Sequence, residues 1–530
     1  MEKRDLSHIV QLLLALLIGV LGTLTFLRIQ ENRKLTRTRY QDWAKLNVIL
    51  NMIEENYVDT LDRVGMTDAA VTAALAQLDP HSMYLPPVEH DASVQELAGN
   101  FEGIGIQFNV PADTAIVLEV IPGGPSEKVG LLPGDRLLKV DDLVIAGVNY
   151  PQDSIVAHIK GPSGTKVTIT VKRGSEIIPF EIVRAKIPLH SVDAWFMLDD
   201  NTGYIRLSKF SRTTYDEIKE ASAKLLEQGM TRLVFDLRDN SGGYLDQALL
   251  LTNEFLQRGD TIVYMQGRSR PREIFRSDGH GKLKDVQLAV LISESSASSS
   301  EIFAGAIQDN DRGVLVGRRS YGKGLVQEDF PFRDGSGLRL TVSRYYTPSG
   351  RCIQKPYEDY EYDIYNRYID GEVFSADAVR LDSSDVHYTR SGRVVFGGGG
   401  IMPDVYVPMD TTRVTDFYAA VNRKATAMRF ASYMFDVYTK ELREITTYPA
   451  MDAFLSRVDL ESRFRNYAKT KDGITATDQE WKETESYLMP QIRALVARYS
   501  PLGDNAFYKY YLPVDDTVDK ALEALSSTEQ

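Results

Sequence analysis

Cysteine is nearly absent. Cys352 is the single one in 530 residues, which excludes an internal disulfide framework and a cysteine-rich zinc site. Histidine is sparse as well, seven in all, with no HExxH and no paired spacing, so no metal and no cofactor is expected. A basic excess is missing. The net charge of −13 argues against a nucleic-acid partner, which needs a positive face for phosphates. No internal repeat is apparent. Charge is missing locally too: the 19 residues Ile9–Leu27 carry none, with only Gln11, Thr23 and Thr25 polar. As a helix this stretch is roughly 28 Å long, close to the hydrocarbon thickness of a bilayer. Small residues of a cleavage site do not follow it, so it reads as an uncleaved signal-anchor. Lys3 and Arg4 precede the span, while Arg28, Arg33, Lys34, Arg37 and Arg39 follow it. Counted alone, the flanks favour a cytoplasmic C-terminal side, although long domains translocate regardless of such charge.

What is present is an ordinary globular composition with room for about three or four domains. Residues 40–80 show helical spacing of apolar side chains (Trp43, Leu46, Ile49, Leu50, Ile53, then Val71, Ala74, Leu75, Leu78), stopped at Leu78-Asp79-Pro80. Residues 99–186 switch to short β-rich runs separated by turns such as Pro122-Gly123-Gly124-Pro125 and Pro133-Gly134-Asp135, which predicts a small β-rich module. Residues 188–345 alternate strands (Leu233–Leu237, Val286–Ile292, Val314–Val316) with helices, predicting an α/β core of parallel strands with active loops at their C-terminal ends. Residues 355–390 are rich in tyrosine and acid and read as a covering insertion. Residues 414–530 return to helical periodicity with many aromatics, which suits a dimer interface or an adaptor dock and equally suits plain core packing.

Three stretches carry candidate chemistry. Ser295-Ser296-Ala297-Ser298-Ser299-Ser300-Glu301 follows a strand and opens a helix, where free N–H groups and the positive end of the dipole would stabilise an oxyanion. Ser298-x-x-Glu301 is also a capping box, which needs no catalysis. Asp239-Asn240-Ser241-Gly242-Gly243 ends the preceding strand and is either a plain tight turn or a backbone concavity offering N–H groups. Asp236 and Asp239 lack a third acid and read as strand-end or capping groups. Lys323, in Tyr321-Gly322-Lys323-Gly324, follows Gly317-x4-Gly322 as a P-loop lysine would. Gly324 stands where that loop needs Ser or Thr, and a strand-like stretch follows where it needs a helix. The remaining readings are a surface lysine and a buried base with Gln327 on the same extended face.

Taken together, Ser-Ala-Ser298-Ser-Ser-Glu-Ile and Tyr-Gly-Lys323-Gly-Leu-Val-Gln327 resemble the carboxyl-terminal processing (tail-specific) serine peptidases. Leu78–Ser82, Leu237–Gly243, Tyr345–Gln354 and Gly400–Asp404 extend the likeness over roughly residues 40–408. The resemblance implies a nucleophile, Ser298; a base, Lys323; an orienting Gln327; and an oxyanion hole from Ser299 with Gly242 or Gly243. It makes 99–186 similar to a PDZ domain, with Gly103-Ile104-Gly105-Ile106 as the loop that receives a peptide's C-terminal carboxylate, gating the site as it binds protein or peptide substrates with free C-termini. The implied fold is α/β: a crotonase/ClpP-like peptidase core (187–408) with a PDZ domain, helical regions at 40–98 and 409–530, and one transmembrane helix within 1–39. The implied location is the bacterial inner membrane, single-pass, with the catalytic part periplasmic. A free lysine amine has pKa about 10.4, so a base at 323 must be buried with no acid facing it. The competing readings are a membrane-anchored PDZ scaffold with an inactive peptidase domain or a serine nucleophile two positions away, and an acyl-CoA enzyme of crotonase type.

Overall fold

The computed structural model describes residue 23 and residues 44–110, 113–121, 123–380 and 383–527. The proposed membrane span lies outside these apart from Thr23, and no helix among the described residues is long and apolar enough to cross a membrane. The chain divides into two units, 1–74 and 75–530. The first contains helix 44–56 and most of helix Arg63–Leu75. The single helical run expected over 40–80 is thus two helices, and the second ends at Leu75, ahead of Pro80.

The second unit is organised by a six-stranded sheet in the order Val192–Met197, Thr202–Leu207, Arg232–Asp236, Gln287–Ile292, Val314–Gly317, Val405–Tyr406. Its first pair is antiparallel and the others are parallel. The apolar runs seen in the sequence are continuous because both faces are covered. Leu233, Phe235, Leu288, Val290 and Leu315 point into one core with helices Thr214–Glu227, Leu245–Asn253 and Ser299–Asp309. The alternate residues Val234, Ala289, Leu291 and Val316 point into another, closed by Leu512, Val518, Ala521 and Leu525. The last helix, Asp516–Ser527, therefore completes the sheet from more than 200 positions beyond strand Gln287–Ile292, which it covers. Core packing accounts for this end of the chain. The helices between Asp416 and Tyr511 pack around their own apolar cluster, which includes Phe430, Phe435, Phe464 and Leu488.

A second sheet pairs Met83–Leu85, Leu325–Pro331 and Thr261–Gln266 with the long strand Gly337–Tyr346. The β-rich module has the strand order Ile106–Asn109, Ala115–Val120, Arg136–Val140, Lys166–Arg173, Glu176–Val183, so Ile106–Asn109 is an edge. A two-stranded ribbon, Asn100–Gly103 with Ala185–Pro188, joins the module to the rest. It also rests on helix Thr426–Glu444, where Arg136 makes two hydrogen bonds to Asp436 at 2.8 and 2.6 Å. The tyrosine-rich segment contains helix Asp363–Ile369 and covers the loop before Lys323: buried Arg367 donates to the Ser320 carbonyl at 2.8 Å.

Leu525 is 3% exposed on the covered face of the sheet. Leu525→Ala is expected to cost about 2–4 kcal/mol, read as a lower urea midpoint with an unchanged slope. An unchanged midpoint would mean the terminal helix is dispensable for the sheet.

Candidate active site

Three loops meet at the C-terminal ends of the parallel strands. Strand Arg232–Asp236 runs into Asp239–Gly243, Gln287–Ile292 into the serine-rich turn, and Val314–Gly317 into the Lys323 loop. Ser298, Ser299, Lys323, Gln327, Gly242 and Gly243 all line one cavity of about 860 Å³, with His81, Arg339 and Tyr345.

The serines divide by what their hydroxyls do. Ser296 donates to the Leu237 carbonyl at 2.7 Å, Ser299 to Gly243 at 2.9 Å and Ser300 to Asn240 at 2.8 Å, so each pins the serine turn to the neighbouring loop. Ser298 is half-buried, and its hydroxyl makes no hydrogen bond of ordinary geometry among the described residues. This separates it from the serines two positions away on either side. Its backbone, at φ 54° and ψ −112°, is strained for a side chain with a Cβ. Such a turn presents the hydroxyl at the tip of helix Ser299–Asp309. The capping box has its arrangement but only its glutamate half has a well-formed hydrogen bond: Glu301 accepts the Ser298 N–H at 2.9 Å.

Glu301 is fully buried and does more than cap. One carboxylate oxygen accepts the N–H of both Ser298 and Lys323, each at 2.9 Å; the other accepts the Gly322 N–H at 2.6 Å and the Ser320 hydroxyl at 2.5 Å. Burial pushes its pKa up and these hydrogen bonds pull against that. Tyr345, also buried, shares its hydroxyl proton between the carbonyls of Lys323 at 2.5 Å and Ser298 at 3.1 Å. The serine and the lysine are therefore tied by their main chains on both polar edges. Sequence reasoning saw Glu301 only as a capping partner and assigned Tyr345 no role, because neither shows its long-range partners in the local pattern.

The Lys323 amine lies in this crevice, and burial lowers its pKa to about 8, with the charge of Arg339 helping. The expectation that no acid faces it fails: Glu301 and Asp79 both pull the pKa back up. Among the described residues the amine makes no hydrogen bond or ion pair, so it does not bond Ser298 or Gln327 in this state. Gln327 donates from Nε2 to Thr341 Oγ1 at 3.3 Å, and a bulge at Val326/Gln327 breaks the simple alternation that would align Lys323 with Gln327. His81 lies in the resembling stretch Leu78–Ser82. Burial, then the charge of Lys323, lowers its pKa to about 4, and its Nε2 sits 2.7 Å from the Tyr360 hydroxyl.

The Ser299 and Gly243 N–H groups make no hydrogen bond among the described residues. Gly242 is not equivalent, since its N–H donates to Asn240 Oδ1 at 2.9 Å. Its place is steric: at φ +100°, a Cβ there would come within 2.8 Å of the Ser298 Cβ. Asp236 is a structural anchor. Burial opposes its charge, but Arg238 and Arg206 hold its pKa at about 2, and Arg238 continues to Asp515 at 2.8 Å. In the β-rich module Gly103 closes the ribbon opposite Ala185, Ile104 is buried, Gly105 turns at φ +76° and Ile106 starts the open edge. No cluster of His, Cys, Asp or Glu among the described residues is arranged to hold a metal.

A half-buried serine on a strained helix tip, a buried lysine and two N–H groups without partners on an α/β core are parts that serine-hydrolase chemistry uses. The sequence comparisons specify it further. Residues 201–365 match the model of Peptidase family S41 and residues 103–183 that of the PDZ domain, in line with the resemblance to carboxyl-terminal processing serine peptidases. A probable CtpA-like serine protease of Staphylococcus aureus (strain N315) is 34% identical over 327 residues, covering 61% of this chain and 65% of the relative. One from Staphylococcus haemolyticus (strain JCSC1435) is 32% identical over 321 residues, covering 60% of this chain and 64% of its own. The chain thus spans just under two thirds of these relatives. Among solved structures, a photosystem II D1 C-terminal processing protease is 25% identical with a TM-score of 0.38, covering 69% of this chain and 87% of that one.

Glu301→Gln keeps the shape but turns an amide N–H₂ toward N–H donors. It is expected to cost about 2 kcal/mol or more and to lower peptide hydrolysis at least about a hundredfold, measured by urea unfolding and by initial rates. Wild-type values in both would show that the shared carboxylate does not hold the site.

Proposed function

We propose that this chain is a membrane-anchored serine endopeptidase that processes proteins near their C-termini with a Ser298–Lys323 dyad. The observation that carries the reading is the pair of main-chain ties, through Glu301 and Tyr345, that keep the serine and the depressed lysine in one crevice. With a pKa of about 8, about one amine in ten is neutral at pH 7, against fewer than about one in a thousand for a free lysine. In this reading the amine meets the hydroxyl once substrate is bound, as catalytic hydrogen bonds often form only then.

In this reading the neutral Lys323 amine takes the Ser298 proton as the oxygen attacks the peptide carbonyl. The Ser299 and Gly243 N–H groups receive the oxyanion. The ammonium then protonates the departing amine, and the regenerated amine draws a proton from water to release the acyl-enzyme. Gln327 orients Lys323, as the family resemblance implies. The PDZ domain captures the substrate's free C-terminus at Gly103–Ile106, the peptide adding as a strand to the edge Ile106–Asn109, and gates the site through its ribbon and its seat on helix Thr426–Glu444. The apolar run Ile9–Leu27 anchors the chain in a bacterial inner membrane with the catalytic part periplasmic, which a C-terminal reporter fusion reads directly.

Purified wild type is expected to cleave an unstructured protein, with kcat/KM rising tenfold per pH unit and levelling above about pH 8, because the base must be uncharged. Ser298→Ala is expected to abolish cleavage. Absence of wild-type cleavage favours a PDZ scaffold, and full activity in the alanine variant removes Ser298 from the chemistry. A peptide substrate is further expected to be cleaved at least about fivefold faster than its C-terminally amidated twin. Equal rates would remove the PDZ domain from recognition.

A further inference from the structure

Gln327 sits at the end of a chain of hydrogen bonds whose direction is dictated from the far end. Strand Met83–Leu85 pairs antiparallel with Gly337–Tyr346, Met83 opposite Arg339, which brings the turn before it against Thr341. In that turn the Asp79 carboxylate accepts from the N–H groups of His81 at 2.9 Å and Ser82 at 3.0 Å, and from the Ser82 hydroxyl at 2.7 Å. It also accepts from the Thr341 hydroxyl at 3.0 Å. The Ser82 hydroxyl, having given its proton to Asp79, accepts the Thr341 N–H at 3.1 Å.

We infer that Thr341, held by Asp79, is a positioning residue that decides which end of the Gln327 amide is offered to Lys323. An ionised carboxylate only accepts. Thr341 has one proton, and Asp79 takes it, so Thr341 Oγ1 is left as an acceptor. An acceptor must be met by the N–H₂ end of Gln327, which is the contact observed at 3.3 Å. The carbonyl end is thereby left for the cavity that Gln327 and Lys323 both line. That polarity matters for a base. A carbonyl accepts an N–H from the amine and leaves its lone pair free for the serine proton. A reversed amide would donate into the lone pair and block it. Asp79 and Ser82 thus act on the chemistry through two intermediaries, Thr341 and Gln327.

This rests on the Ser298–Lys323 reading for its catalytic meaning but not for its physical content. The test is run on the full-length protein. Competitive acetylation of Lys323 with acetic anhydride across pH, read by mass spectrometry, gives the titration midpoint of that amine whether or not the protein turns over. The charged and titratable groups around it include Arg339, Glu301, Asp79, His81, Glu328 and Asp329; of these only Asp79 is touched by substitution at 341, through loss of the Thr341 hydroxyl. An acceptor aimed at an amine favours its cation. Thr341→Val, which is isosteric but cannot accept, is expected to move the Lys323 midpoint down by about half a unit or more. It should also lower kcat at least about fivefold with KM unchanged. Thr341→Ser is expected to restore both, and Thr341→Ala must reproduce valine should the latter fold poorly. A wild-type midpoint in the valine and alanine variants overturns the relay, as does a serine variant shifted as far as valine. A shifted midpoint in a protein whose wild type cleaves nothing keeps the relay and sinks the peptidase reading instead.

Discussion

The structure depends on a fully buried carboxylate. Glu301 spends its four lone-pair directions on the N–H groups of Ser298, Lys323 and Gly322 and on the Ser320 hydroxyl. An unpaired charge at full burial would be untenable, so each donor must be in place for the others to be. The first turn of helix Ser299–Asp309 and the loop from Ser320 to Gly324 consequently form as one object. Tyr345 repeats the tie on the carbonyl side of the same two residues. Two segments about twenty-five positions apart in sequence are thus held in register with no hydrogen bond between the Ser298 and Lys323 side chains.

The surrounding fold supports that crevice from several directions. The parallel sheet delivers three loops to one end, where orphan N–H groups are available. Gly242 lets the neighbouring loop press against the Ser298 Cβ, and Asn240 fixes that loop by taking the Gly242 N–H and donating to Leu207. Asp236 and Arg238 clamp the strand leading into it to Asp515, just before the terminal helix that covers the sheet. The C-terminal region thereby contributes to both the back of the sheet and the seat of the PDZ domain.

Much of the fold was legible in the sequence where periodicity is local. The runs Leu233–Leu237, Val286–Ile292 and Val314–Val316 announced buried parallel strands. The β-rich runs of 99–186 fall within observed strands. The break between the two N-terminal helices was invisible, because apolar spacing on either side of residues 57–62 can be read through as one phase. At the site, the residue types and spacing of Ser298, Lys323 and Gln327 pointed to one cavity, and the structure brings them there. The equal standing given to Gly242 and Gly243 could not be resolved from glycine content, since it turns on an Asn240 side chain two residues back.

By itself, then, the sequence determined the sheet order's raw material and the helix that starts at the serine turn through short-range pattern and stereochemistry, while its resemblance to the carboxyl-terminal processing peptidases singled out the residues for serine chemistry. Tertiary structure decided which serine hydroxyls pin the turn, how far the lysine is depressed and what covers the sheet. Each of those is set by burial and by hydrogen-bond partners tens to hundreds of residues away, and no local pattern encodes a dielectric or the direction of a distant donor.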